Sequence, residues 1–208
     1  MSIRLGAAAV MAAILATLVV LIARAVVDPP VMPDIAGRES FLFQHILLAV
    51  AAAPVFQIAF LVDEEPDYRS GLRWGIGSFA AAVVAPLLVM PHLPTGALPL
   101  HDGNAMLFWL TTVAVTGTGL WLIWRNGGPL RGDARGRIIG AVLLFLPGLL
   151  EPASGLPGEL EREMPADPMA VAAASGDMVM LLGLNLLFWV ALGLASVLAA
   201  HRVVHQHG

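Results

Sequence analysis

Six apolar stretches of about 20 residues recur along the chain, and their length restricts its fold more than any other feature. They lie at residues 6–27, 41–62, 72–92, 105–124, 137–156 and 178–200. A helix of about 20 apolar residues spans a bilayer core about 30 Å thick. Charged residues make up 12% of the 208 residues, whereas a soluble domain carries about 25%. The sequence therefore predicts an all-α polytopic membrane bundle, with residues 1–208 forming a single transmembrane domain of about six helices.

The fifth and first stretches allow alternative interpretations. The apolar run of the fifth thins into Glu151 and Pro152, so five spans are the alternative to six. The first ends in small residues around Arg24 that resemble a signal-peptide cleavage site, but its apolar run is longer than a usual signal core, which favours a retained helix. Pro86 and Pro147 lie inside the third and fifth stretches and predict kinks, which membrane helices tolerate.

The arginines predict the orientation of the bundle, because loops rich in Lys and Arg stay in the cytoplasm. With the N-terminus inside, eight of the 11 arginines fall on the inner side and three on the outer side. Ten of the 15 acids fall outside and five inside, which gives net charges of −7 and +3. We therefore expect a multi-pass protein of the bacterial inner membrane with both termini in the cytoplasm. The acidic outer face would attract cations, although the positive-inside rule alone also explains much of the asymmetry.

Several enzyme and binding classes are excluded by missing residues. The chain has no cysteine, so it offers neither disulfides nor thiolate metal ligands. It has no lysine and no phosphate-binding loop, and neither a zinc-protease helix nor a nucleophile elbow is present. The arginine-rich loop after the fourth stretch is better explained by topology and lipid headgroup contact than by nucleic acid. We therefore expect no catalytic activity, and a bilayer as the main surrounding partner.

Histidines and carboxylates are the only strong metal ligands that remain. His92, His101 and Asp102 share one outer loop that lacks arginine, and this set suits a borderline divalent ion, although ordinary interfacial histidines are an alternative. His45 lies inside the second stretch, where ionisable residues often mark a pathway, and it is also the candidate for proton coupling. A packing or interfacial role is its alternative. Glu151, at the membrane edge, would be the next polar station, or a plain interfacial acid.

The C-terminal histidines offer a weaker metal site. His201 and His205 stand four residues apart on one helix face, a spacing that can chelate a metal. Their position at a helix C-terminus suits the helix dipole without any ligand, and we prefer that interpretation. A haem held by His45 and His92 is conceivable from their similar depth. No permanently bound cofactor is expected, and a divalent metal would be the substrate.

Short motifs spread over residues 70–200 resemble, in the same order, the predicted cobalt transporter subunit CbtA family. The motifs are Gly71-Leu72-Arg73-Trp74-Gly75, Phe79, Ala85-Pro86, Pro91, Pro94, Phe108-Trp109, Leu146-Pro147, Asn185-Leu186-Leu187-Phe188-Trp189 and Leu192-Gly193. The resemblance implies a membrane subunit for cobalt uptake in cobalamin synthesis, working with a small one-span, histidine-bearing subunit. Gly148 stands where the family implies a histidine, and the first outer loop lacks the family's acid cluster.

Two functions therefore follow as expectations. The first is a subunit of a divalent transition-metal transporter, most simply for cobalt, in which His92, His101 and Asp102 capture the ion and His45 and Glu151 receive it. The second is a structural or assembly subunit of a membrane complex that transports nothing. A homo-oligomer is compatible with either function.

Overall fold

The computed structural model describes residues 2–27, 35–62, 67–89, 103–125, 134–150 and 168–205, and the side chains of residues 6–26, 43–60, 67–89, 103–124, 134–149 and 178–201. Every described residue except Asp67 is helical, which confirms the all-α prediction for this part of the chain. The helices are α1 (Ser2–Val27), α2 (Ile35–Val62), α3 (Tyr68–Phe79), a π-helical turn (Ala80–Val84), α4 (Ala85–Val89), α5 (Gly103–Arg125), α6 (Ala134–Leu150) and α7 (Pro168–His205).

Five helical segments in the described part are long and apolar enough to cross a membrane. They are Gly6–Val26, Phe43–Phe60, Tyr68–Val89, Gly103–Trp124 and Met178–His201. The predicted fifth span corresponds to α6, whose 17 residues make a helix about 26 Å long. The last residues predicted for that span, 151–156, lie outside the described residues. The remaining predicted spans are helical over all their described residues, and residues 90–92 of the third span lie outside these.

Large apolar side chains cover the outside of these helices. Val26 is 77% exposed, Leu88 75% and Phe145 73%. A soluble monomer rarely exposes such side chains in contiguous patches, because each would order water at a cost. This distribution is that of a multi-pass membrane protein whose helices face lipid.

The third predicted span begins four residues earlier than the apolar pattern indicates. The Asp67 side chain caps α3, because its Oδ1 accepts a hydrogen bond of 2.7 Å from the Ser70 backbone N–H. The Asp67 carbonyl accepts a second bond, of 3.0 Å, from the N–H of Gly71. The bond from the Ser70 backbone, with that from its side chain, lowers the pKa of Asp67. Polar residues therefore start this helix outside the apolar window.

The helices group into two compact units: unit 1 contains Met1–Phe79 and Gly183–Gly208, and unit 2 contains Ala80–Leu182. The single transmembrane domain stays a prediction. Within unit 1, α1 packs on α2. The alanine face of α1 makes this possible, since Ala12 and Ala16 are completely buried. Within unit 2, α5 packs on α6, and both contact α4.

Glycines bring α3 and the second half of α7 close together in unit 1. A Cβ added at Gly71 would lie 2.8 Å from a methyl of Val197, and one at Gly75 would lie 2.7 Å from the Trp189 carbonyl oxygen. Gly71 faces Val197, whereas Gly75, which comes later in α3, faces Trp189, which comes earlier in α7. The two helices are therefore antiparallel. Small residues permit this close backbone approach in membranes, where dispersion contacts drive helix association.

An equivalent glycine contact joins α5 and α6 in unit 2. A Cβ at Gly119 would lie 2.7 Å from the carbonyl oxygen of Gly140 and 3.2 Å from the Cβ of Leu143. A Cβ at Gly140 would lie 2.8 Å from the side chain of Ile123. The order of these contacts makes α5 and α6 antiparallel. Gly119, in the fourth predicted span, therefore lies on the face of α5 that packs on α6.

Candidate functional site

A buried polar seam runs between α2 and α7 in unit 1. Its members share an exposed fraction of 2% or less and lie within membrane-spanning segments: His45, Gln57, Asn185 and Ser196. Burying a polar group in an apolar environment costs free energy unless the group is hydrogen-bonded. Polar residues inside a bundle therefore usually have a structural or functional reason. Among the residues whose side chains are described, these four are all the buried polar ones of unit 1.

His45 is the one residue of the predicted transport site, which also includes His92, His101, Asp102 and Glu151, that the structure describes. Its side chain is 1% exposed, and its ring meets Phe188 of α7 edge to face, with ring centroids 4.9 Å apart and planes at 89°. The predicted second span begins at residue 41, four residues before His45, whereas α2 begins ten residues before it at Ile35. The apolar part of the helix begins at Phe43, two residues before His45.

Gln57 connects α2 to α7 farther along the seam. Its Nε2 donates a hydrogen bond of 3.0 Å to the Ser196 carbonyl oxygen, and both residues are buried. His45 contacts Phe188, and Gln57, 12 residues later in α2, contacts Ser196, eight residues later in α7. The contacts therefore move toward the C-terminus of both helices. The two helices therefore run parallel, and the seam extends about 18 Å along α2.

Asn185 and Ser196 lie on the same face of α7. They are 11 residues apart, which is three helical turns within about 20°, and both are fully buried. The Oγ of Ser196 has no hydrogen-bond partner within the described part of the chain. An unsatisfied buried hydroxyl is unfavourable. This hydroxyl is therefore available to a water or a passing polar ligand.

An aromatic cluster of Phe56, Phe60, Trp74, Phe188 and Trp189 packs beside the seam. Phe188 lies 5.3 Å from Trp189, Trp189 lies 6.4 Å from Phe56, and Phe56 lies 5.8 Å from Trp74, measured between ring centroids. Such pairs add about 0.5–1.5 kcal/mol each beyond their burial. Rings of α2, α3 and α7 thereby hold the three helices in register and fix the orientation of the His45 ring through Phe188.

Most of the predicted metal site lies outside the described residues. His92, His101, Asp102 and Glu151 all fall there, so their roles stay predictions. Within the described part of the chain, no three His, Asp or Glu residues come together in a group that could hold a metal ion. The seam offers one imidazole, two amides and one hydroxyl, a set that can contact a partly hydrated ion but does not enclose one.

The sequence alone did not identify Asn185 and Ser196 as buried polar residues of the same unit as His45 and Gln57. The available signal was the spacing of two polar residues three turns apart in an otherwise apolar helix. The pairing of Ser196 with Gln57 depends on the tertiary register, which no local pattern encodes. No family model, curated protein or solved structure matches the chain.

Proposed function

We propose that this chain is the membrane subunit of a divalent transition-metal transporter, with cobalt as its substrate, as the resemblance to the CbtA family implies. The observation that carries the proposal is the burial of His45 inside a membrane-spanning helix. An imidazole there loses its hydration and is costly unless it serves packing or function. Imidazole is also a good ligand for cobalt, nickel and zinc.

The polar seam gives this proposal a direction. In the proposed orientation α2 runs from the outer to the inner side, so His45 lies nearer the outside and Gln57 lies about 18 Å deeper. The ion would be captured at the outer loop by His92, His101 and Asp102, and Glu151 would serve as a further polar station. It would then reach His45 and continue past the Ser196 hydroxyl. The seam covers more than half of a core about 30 Å thick.

The proposal includes the finer statements about location and partners. The chain would reside in the bacterial inner membrane with both termini in the cytoplasm, as the arginine distribution favours. The parallel course of α2 and α7 supports this, because it requires an odd number of crossings between them, which the span Tyr68–Val89, α5 and α6 would supply. A small one-span subunit bearing histidines would deliver or accept the metal, and no cofactor would stay bound.

A structural or assembly subunit is the second candidate, and a groove between α1 and α2 favours it. The groove has a volume of about 770 Å³ and is lined almost entirely by apolar atoms. Gly6, Ala9 and Ala13 contribute from α1, and Ala49 and Ala53 from α2. Small residues let another helix approach closely. In this function the chain would organise a complex, and His45 would only pack against Phe188.

Metal uptake separates the two candidates. Radioactive cobalt entry into proteoliposomes would be measured for the chain alone and with the one-span subunit. His45→Ala should lower uptake about tenfold or more, because removing a metal contact costs affinity on that scale. His201→Ala is the matched control, since that histidine lies at the end of α7 and should not affect entry. Equal uptake by wild type, His45→Ala and a His92→Ala/His101→Ala variant would favour the assembly function.

A further inference from the structure

Two threonines of α5 have buried hydroxyls that bond to nothing in the described part of the chain. Thr112 is 1% exposed and Thr116 4%, and the Oγ1 of each lacks a hydrogen-bond partner there. The exposed threonines of the same helix behave differently. Thr111 Oγ1 donates to the Leu107 carbonyl at 2.8 Å, and Thr118 Oγ1 donates to the carbonyl four residues before it at 2.7 Å.

This contrast is unexpected, because every helical threonine can bond the carbonyl four residues earlier. In a membrane that local bond is the ordinary way to satisfy a hydroxyl. Thr112 and Thr116 are one turn apart on the same face of α5, and neither makes it. Their hydroxyls are therefore buried without the bond that their own helix could supply.

The neighbours of α5 show what these hydroxyls face. Gly119 contacts α6, and a Cβ at Gly117 would lie 3.9 Å from the Cβ of Ala81 in the π-helical turn. Around the helix axis, Gly119 stands about 60° to one side of Thr116 and Gly117 about 100° to the other. Thr112 and Thr116 thus lie on the part of the α5 surface between the side that contacts α6 and the side that contacts the π-helical turn. Both elements belong to unit 2.

The preceding element contains a proline, which leaves one main-chain carbonyl without its usual donor. Pro86 follows the π-helical turn Ala80–Val84 and has no N–H. That N–H would bond the Ala82 carbonyl in an α-helix or the Ala81 carbonyl in a π-helix, so one of the two is released. The released carbonyl points along the helix toward Pro86. The span Tyr68–Val89 and α5 are successive crossings and run in opposite directions. The direction toward Pro86 in the first is therefore the direction from Gly117 toward Thr112 in α5.

A second freed carbonyl comes from α6. Pro147 is buried inside this helix and removes the N–H that would bond the Leu143 carbonyl. Leu143 faces Gly119, and α5 and α6 are antiparallel, so its carbonyl points toward the level of Thr116. Two prolines on two helices therefore release main-chain oxygens at the depth where α5 presents two hydroxyls.

We propose that Thr112 Oγ1, Thr116 Oγ1, the one carbonyl that Pro86 releases and the Leu143 carbonyl form an oxygen site that binds Na⁺. Hydroxyls and main-chain carbonyls of interrupted helices are the ligands that coordinate Na⁺ in membrane transporters. No carboxylate lies among the side chains of unit 2 that the structure describes. A neutral ligand set of this kind suits a monovalent hard cation better than a divalent one. It also differs from the imidazole chemistry of His45, so the two sites would select different ions.

Such a site would allow the protein to use the free energy of a Na⁺ gradient across the membrane. It stands whether or not the chain transports a transition metal, because none of its ligands belongs to the polar seam. π-helical turns within α-helices frequently occur at functional sites, and this one lies in the middle of a membrane-spanning helix.

Sodium binding to the purified full-length chain in lipid nanodiscs tests the proposal. Equilibrium binding of ²²Na⁺ would be combined with the Tm from tryptophan emission, in NaCl and in choline chloride at equal ionic strength. We expect saturable binding and a Tm that rises with Na⁺ but not with choline. Thr112→Val and Thr116→Val should each raise the apparent Kd for Na⁺ about tenfold or more, the effect of losing one buried ligand.

Matched variants separate ligand loss from misfolding. Thr111→Val and Thr118→Val on the same helix should keep the wild-type Kd, and Thr116→Ser should restore binding because it keeps the hydroxyl. Replacing a bondless buried hydroxyl by a methyl should not lower the Tm measured in choline. The proposal is overturned by an absence of ²²Na⁺ binding, by equal Tm in the two salts, or by valine variants at 112 and 116 that bind Na⁺ like wild type.

Discussion

The closest helix contact in unit 1 makes a quantitative prediction for Gly75→Ala. The new Cβ would lie 2.7 Å from the Trp189 carbonyl oxygen and 2.9 Å from the Val190 Cα, whereas ordinary contact begins at 3.4 Å. Both obstacles are main-chain atoms, so no side chain can rotate away, and α3 and α7 must separate by roughly 0.7 Å. A radial gap of about 0.5–1 Å forfeits a quarter to a half of each dispersion contact along the interface.

We therefore expect Gly75→Ala to cost about 1–3 kcal/mol of the free energy of unfolding, the usual range for overpacking. For a chain of this size that corresponds to a fall in Tm of about 2–4 °C per kcal/mol. The five tryptophans, among them Trp74 and Trp189 at this interface, report unfolding by their emission during heating in nanodiscs. The emission spectrum of the folded variant should also shift, since the aromatic cluster must rearrange.

Gly183→Ala is the matched control for the same substitution. A Cβ at Gly183 would meet nothing within 4 Å, so it should cause no clash. Because alanine lowers the entropy of the unfolded chain, this variant should be more stable by about 0.5–1 kcal/mol. The two variants therefore change stability in opposite directions. A Gly75→Ala protein as stable as Gly183→Ala would refute the close packing of α3 on α7.

Three further predictions concern hydrogen bonds and topology. Gln57→Leu should lower stability by about 0.6 kcal/mol, the mean for interhelical hydrogen bonds in a membrane, and a higher Tm would contradict the bond. Because the pKa of Asp67 is lowered, its charged form stabilises the fold at neutral pH, and this stabilisation is lost as the pH falls through the folded pKa. The Tm difference between wild type and Asp67→Asn should therefore shrink toward low pH, and a constant difference would refute it. The chain has no cysteine, so single cysteines can be introduced and labelled with a membrane-impermeant maleimide. If α6 spans the membrane, Met178→Cys should be labelled from the same side as Asn104→Cys and from the opposite side to Tyr68→Cys. If Met178→Cys is labelled from the same side as Tyr68→Cys, α6 does not span the membrane.

The helices were predictable because bilayer thickness imposes a length on every apolar stretch. Predicted and observed spans agree closely where apolar residues define the helix, as for Gly103–Trp124 and Met178–His201. They disagree where polar chemistry decides. α3 begins at Tyr68 because Asp67 caps it, and α2 begins at Ile35, well before its apolar window. Hydropathy reports how apolar the side chains are. It does not report a hydrogen bond from a backbone N–H to a carboxylate that caps a helix.

Of the candidate sites, the sequence allowed only single residues of an unusual type to be predicted. His45 was identifiable because an ionisable group in a span is rare. Its contact with Phe188, and that of Gln57 with Ser196, depend on how α2 and α7 are placed along each other. The sequence contains no sign that the hydroxyl of Thr112 lacks a hydrogen bond to its own helix while that of Thr111 makes one. That difference arises from the residues packed around the helix.

The helix directions in unit 1 bear on the number of crossings. α3 and α7 are antiparallel, so α7 returns from the membrane side at which the span Tyr68–Val89 ends. The intervening chain must then cross an even number of times. α5 supplies one crossing, and α6, the other helix that the structure describes there, would supply the second. Its length of about 26 Å is short for a core of about 30 Å, but local thinning of the bilayer costs only fractions of a kcal/mol per Å. That both termini lie in the cytoplasm stays a prediction from the arginine distribution.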